Sequence, residues 1–213
     1  LRGLARRLLL KKSASSEAEK IMLSKLRIEC SPEFSTKADT MFKDLQESEH
    51  IMKAYRTVKG GEEALRLKNE GIEAQFHILS QGSWPIRSEV KGAIMPPMIE
   101  AVQEDFKTYY IKRYQGKALT FCPSMGTALV FATFQPKNVK QLEVSVLQAS
   151  VLLAFNEEAE YSYQALQAKT GLSDQQLNIQ LISLACLEHK ILLAVPPPAP
   201  LEDSAEAGQA EAG

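Results

Sequence analysis

The chain has 213 residues, 45% hydrophobic and 24% charged, and its 25 Lys and Arg against 26 Asp and Glu leave a formal net charge of −1. That is the balance of an ordinary globular protein with a real core, and it excludes a polyelectrolyte drawn as a whole to nucleic acid or an acidic surface. No run approaches the roughly 18 apolar residues of a membrane-spanning helix, and no signal-peptide core follows the basic N-terminus.

Cys30, Cys122 and Cys186 lie far apart with no CxxC pair, which argues against a disulfide scaffold and fits a reducing compartment, cytoplasm or nucleus. The charge is unevenly placed. Arg2, Arg6, Arg7, Lys11 and Lys12 stand without an acid in the first turns, a composition shared by solvated helix faces and by transit peptides. The chain opens on Leu1 rather than Met and is read as a fragment. Glu202, Asp203, Glu206 and Glu211 make the far end acidic. That tail has too little apolar surface to offset the entropy of ordering it, so residues 196–213 are predicted disordered.

Residues 1–71 read as a helical-bundle segment. Ser16, followed by Glu17 and Glu19, suits a helix N-cap with acids in the first turn. Ala18, Met22 and Leu26, with Ile21 and Leu23, form its apolar stripe as far as Cys30. Ser31-Pro32 opens a second helix in which Phe34, Ala38, Met41, Phe42 and Leu45 share a face. Ile51, Met52, Tyr55 and Val58 carry that face to Gly60-Gly61. Amphipathic helices on short links bury their stripes against each other.

Over 72–143 the period changes and a small α/β domain with a few-stranded sheet is predicted. Ala74–Ser80 alternates like a strand until Gly82-Ser83-Trp84-Pro85, where Trp84 is read as a plug under the turn. Pro96-Pro97 starts a helix carrying Ile99, Val102, Phe106, Tyr109 and Tyr110, and Gly116 closes it. Leu119–Phe121, Ala128–Phe134 and the alternating Leu142, Val144 and Val146 complete the strands.

Residues 144–195 read as a winged-helix module: Gln148–Phe155, Tyr161–Lys169 closed by Thr170-Gly171, a helix capped by Ser173, then a short strand at Ile191–Val195. The predicted fold class is therefore α+β, mostly helical. A winged helix invites a nucleic-acid reading, but its candidate recognition helix, Asp174 to Cys186, has no Lys or Arg. Over 141–195 Lys169 and Lys190 face Glu143, Glu157, Glu158, Glu160, Asp174 and Glu188. Phosphate neutralisation and base readout both need the opposite sign.

Catalysis is no better supplied. His50, His77 and His189 lie in separate segments, and no HExxH, GxSxG or P-loop occurs. Cys122 beside a turn with His77 as base is the one candidate for a cysteine-dependent enzyme, and nothing else activates the thiol. No catalytic, metal-binding or cofactor-binding residue is assigned.

Together, LARRLLLKKSASSEAEKIMLSKLRIEC, FSTKADTMFKD, ILSQGSWP, MPPMIEAVQEDFKTYYIKRYQGKALTF and LLAFNEEAEYSYQALQAKTGLSDQQLNIQLISLAC resemble the cullin homology region, in the cullin family's order over nearly all of residues 1–195. The resemblance implies a non-catalytic scaffold of a ubiquitin ligase. Such a scaffold holds a RING-box protein and, through it, a ubiquitin-charged conjugating enzyme, with no direct nucleic-acid or membrane partner. The family's GYWP is GSWP here, Ala38 replaces a leucine, Ser31 follows Cys30 in place of Gly, and Leu187-Glu188-His189 replaces a Gly-Lys. The substrate-adaptor repeats and the second winged helix, with its modifier-accepting lysine, are not expected in this chain.

By that resemblance the N-terminal strand of the RING-box protein threads into the sheet. Phe76, Ile78, Leu119, Phe121, Leu129 and Phe131 are expected to line the insertion, and Ile78 to offer it a ladder donor. A permanent complex of this kind commonly buries above about 2,000 Å². A winged-helix nucleic-acid binder and a truncated, non-functional scaffold remnant are the alternatives.

Overall fold

The structure, a computed structural model, describes residues 1–10, 12–62, 64–65, 71–85, 92–135, 137–186 and 190–195. It contains α1 (Arg2–Leu9), α2 (Ser16–Glu29), α3 (Pro32–Val58), α4 (Pro97–Arg113), β1 (Thr127–Gln135), β2 (Asn138–Ser145), α5 (Val146–Ala154), α6 (Tyr163–Thr170) and α7 (Asp174–Ala185). A short 3-10 turn, Pro123–Met125, precedes β1. The fold is α+β and mostly helical, and the one sheet among the described residues is the β1–β2 hairpin. The chain divides into two compact units, Leu1–Ser173 and Asp174–Gly213. The predicted disordered tail at 196–213 lies outside the described residues.

The helices begin where local chemistry starts them. The α2 cap is Ser15, one residue before the predicted Ser16, and its side chain accepts from the Ala18 N–H at 3.0 Å. At α3, Ser31 caps onto the Phe34 N–H with Pro32 at N1, as the sequence indicates. Val146, predicted as the end of a strand, instead starts α5. Ser145 and Gln148 close a reciprocal capping box there, each satisfying the other's main-chain N–H.

Two apolar clusters stand out among the described residues of the larger unit, in addition to buried residues on β2, α5 and α6. One gathers Leu4, Ala5 and Leu8 of α1, Leu23 of α2, Ala38 and Met41 of α3, and Trp84. The indole is therefore the plug the sequence suggests. The other packs Ile51, Met52 and Tyr55 of α3 on Phe106 and Tyr110 of α4. Tyr55 meets Phe106 edge-on at 5.1 Å and donates its hydroxyl to Asp105 at 2.7 Å. Burial, first, and then that carboxylate push the Tyr55 phenol well above its ordinary value.

The apolar stripe predicted on α2 is rotated. Met22, Ile21 and Ile28 are exposed, whereas Glu19 and Leu23 are buried and Leu26 is half-buried. The cause is ionic. Arg7, from the predicted basic helix face, grips both Glu19 oxygens at 2.6 and 2.8 Å, and Ser13 donates to the same carboxylate at 2.9 Å. A buried carboxylate has to face its partners, so residues 19, 23 and 26 become the inner face. The Arg7 hydrogen bonds hold the Glu19 carboxyl below its ordinary 4.5.

The α6 end is equally specific. Gly171 is left-handed at φ 62, and the Ile94 N–H donates to the Thr170 carbonyl at 2.8 Å. A Cβ at Gly171 would lie 2.2 Å from the Gly92 carbonyl oxygen and 2.8 Å from Ile94 Cγ1. In the smaller unit, Leu177 and Leu184 of α7 are buried. The strand expected at Ile191–Val195 is not formed. The N–H groups of Ile191 and Leu192 both donate to the Leu184 carbonyl, at 2.8 and 3.1 Å, so they fold back on the helix end and enter no ladder.

Two outcomes are expected from this packing. Gly171→Ala combines a disfavoured left-handed φ with a clash onto main chain and should cost at least about 2 kcal/mol of stability in chemical denaturation. Glu19 has a depressed folded pKa, so its contribution is present above about pH 4.5 and is lost as the pH falls through the lower folded value. Wild type should therefore melt above Glu19→Gln at neutral pH, and the gap should close progressively below pH 4.5.

Candidate partner-binding site

The predicted strand Ala74–Ser80 is present as a segment but belongs to no ladder. Its neighbour is helix α3. Ile78 donates its N–H to Ser48 Oγ at 2.7 Å, and the single Ser48 proton lies between the Asp44 carbonyl at 2.7 Å and the Ile78 carbonyl at 3.2 Å. Two residues on, the Ser80 N–H donates to Asp44 Oδ2 at 2.7 Å, and the Ser80 hydroxyl to Oδ1 at 2.8 Å. Trp84 Nε1 completes the set on Oδ2 at 2.7 Å. Four residues of helix rise about 6 Å and two residues of extended chain about 6.6 Å, so this pairing requires 78–80 to be extended.

Asp44 and Ser48 were not among the sequence-derived site residues. A signal was nevertheless there. Met41, Asp44, Ser48, Ile51, Met52 and Tyr55 fall on one helical face, and all are buried. Polar residues inside an apolar stripe need partners.

The six sequence-derived residues divide into two groups. Phe76, Ile78, Leu119 and Phe121 are half-buried and pack on the α3–α4 cluster. Phe76 stacks on Phe106 at 4.3 Å and meets Phe121 at 5.7 Å. Leu119–Phe121, predicted as a strand, lies outside any helix or ladder. Ile78 does not present the open ladder donor expected of it, since its N–H is already engaged by Ser48.

Leu129 and Phe131 behave otherwise. They sit on β1, paired with Glu143 and Gln141 of β2. Cross-strand pairs share a face, so Leu129 and Phe131 stand with Val139, and the three are 58%, 69% and 57% exposed. The opposite face carries Ala128, Val130, Leu142 and Val144, half-buried or buried. The site is thus a half-buried aromatic wall on α3 and α4 and, separately, an open apolar hairpin face.

Among the described residues no group of three or more His, Cys, Asp or Glu side chains gathers to hold a metal ion. Cys30, Cys122 and Cys186 are free thiols, and His189 lies outside the described residues. No described helix is long and apolar enough to cross a membrane.

The cullin alpha+beta domain matches residues 78–208, and the cullin alpha solenoid domain matches residues 2–52. Cullin-4A of Mus musculus is 36% identical over 206 residues, covering 95% of this chain and 26% of the relative. Cullin-4A of Homo sapiens matches to the same extent. Cullin-4 of Dictyostelium discoideum is 34% identical over 193 residues, covering 89% of this chain and 23% of its own length. The chain belongs to the cullin family. It spans about a quarter of the length of these cullins, and the alpha+beta match takes in Ile78, the Trp84 turn and the whole hairpin, while Asp44 and Ser48 fall in the solenoid match.

The brace should be measurable in stability. Asp44→Ala leaves the buried Trp84 indole N–H, and the Ser80 N–H beside it, without their acceptor, an expected loss of about 2 to 4 kcal/mol. Urea unfolding followed by Trp84 fluorescence, the chain's one tryptophan, reports it directly.

Proposed function

We propose that this chain is the part of a cullin scaffold that receives a RING-box subunit, by completing its β structure with a strand from that partner. The observation that carries the reading is the hairpin. Two strands alone are marginal in water, yet this pair turns Leu129, Phe131 and Val139 to solvent. Its edges are also unequal. β2 bears Lys140 and Glu143, whereas β1, TALVFATFQ, has no charged residue. Charged side chains are a common guard against edge pairing, and β1 lacks that guard.

The partner's role follows from chemistry this chain does not supply. A scaffold accelerates ubiquitin transfer by holding the conjugating enzyme, through the RING subunit, near an acceptor amine. Among its described residues the segment 144–195 forms no wing strand, and in this reading its acidic balance keeps it off nucleic acid. The Lys169–Glu157 ion pair, which raises the Lys169 pKa, engages one of its two lysines.

Co-expression of the chain with a RING-box protein should raise its soluble yield and give a co-purifying complex. Phe131→Asp, on an exposed position, should weaken that complex at least tenfold while leaving helical thermal unfolding unchanged. Equal co-purification of the variant, or a monodisperse chain indifferent to the partner, would sink the reading.

A further inference from the structure

We propose that α3 serves as one edge partner of the segment at residues 75–80, so that main-chain parity alone selects which peptide groups the incoming strand can use. The inference rests on the strand-completion reading above and extends it to a register. In extended chain each residue sends its N–H and C=O to the same edge, and neighbours alternate. Ile78 sends both its N–H and its C=O to Ser48, and Ser80 sends its N–H to Asp44, of α3. Phe76 shares that edge by alternation, while Gln75 and Leu79 turn to the opposite one.

Helix side chains thus occupy the positions of a neighbouring strand. Ser48 accepts from Ile78, and Asp44 accepts from Ser80, one helical turn away. Both are buried and tied down, Ser48 to the Asp44 carbonyl and Asp44 to the Trp84 indole. A side-chain oxygen on a packed helix has little freedom to move aside, so this edge is closed to a foreign strand. Asp44 and Ser48 are therefore positioning residues for the partner. They touch none of it, but they fix the direction in which the other edge faces and bar a one-residue slip.

The test replaces single peptide N–H groups by an ester oxygen in the full chain, using α-hydroxy acids at residue 79 or residue 78. Binding to a recombinant RING-box protein and thermal unfolding are then measured side by side. The ester at 79 should weaken binding about tenfold, the worth of one ladder hydrogen bond, and lower the unfolding midpoint less than the ester at 78. At 78 the ester should lower the unfolding midpoint and change affinity less than threefold. In the free chain, Ser48→Ala should speed hydrogen exchange selectively at the Ile78 amide.

The reverse pattern, with position 78 controlling affinity and 79 neutral, overturns the register while leaving strand completion standing. Failure of the unmodified chain to bind overturns strand completion, and the register with it. An Ile78 amide that exchanges freely in the unmodified chain overturns the brace.

Discussion

A carboxylate buried in an apolar stripe sets the geometry of the larger unit. Asp44 is held by three donors, the Ser80 N–H, the Ser80 hydroxyl and the Trp84 indole. Burying a carboxylate is costly unless its lone pairs are met by hydrogen bonds, so the three donors have to stay where they are. One residue on α3 thereby fixes both the line of the 78–80 segment and the seating of the Trp84 turn in the first apolar cluster. One turn along α3, Ser48 extends the same constraint to Ile78.

This fixed part contrasts with the hairpin. The aromatic wall of Phe76, Phe106, Tyr55 and Tyr110 is interlocked by stacked and edge-on contacts. β1 and β2 are joined to each other by a ladder but leave four large apolar side chains, Leu129, Phe131, Phe134 and Val139, exposed. Lys137 in their turn adopts a left-handed φ of 69, a conformation disfavoured for a side chain with a Cβ. Local stability tracks buried contacts, so the hairpin opens at lower cost than the α3–α4 core. A rigid wall and, separately, an apolar, unguarded strand suit a binding site that becomes complete on assembly.

The helices were legible because their signal is local. Ser31-Pro32, the stripe from Phe34 to Tyr55 and the Pro-initiated helix ending before Gly116 need only their own residues to be read. The strands needed neighbours. Ala74–Ser80 alternates as a strand does, but alternation reports two dissimilar faces, not the identity of what lies along an edge. Here a helix lies along that edge and no ladder forms. The same blindness placed Phe76, Ile78, Leu119 and Phe121 in one list with Leu129 and Phe131, since an aromatic in a core and an aromatic awaiting a partner look alike in sequence. On α2 the apolar count pointed to Met22 and Ile21, and one long-range ion pair, Arg7–Glu19, turned the helix away from that choice.

The distribution of charge on the hairpin reaches further than its hydrophobicity. An unguarded edge is a hazard in a chain that stays alone, because any extended peptide can extend the ladder. Lys140 and Glu143 on β2 show that the guard is present on one strand of the same hairpin, so its omission from β1 is local. Leu129 and Phe131 stand on that unguarded strand. A permanent partner strand would remove the hazard and bury these two side chains at once, which gives the asymmetry a physical purpose that a solitary, self-sufficient hairpin would lack.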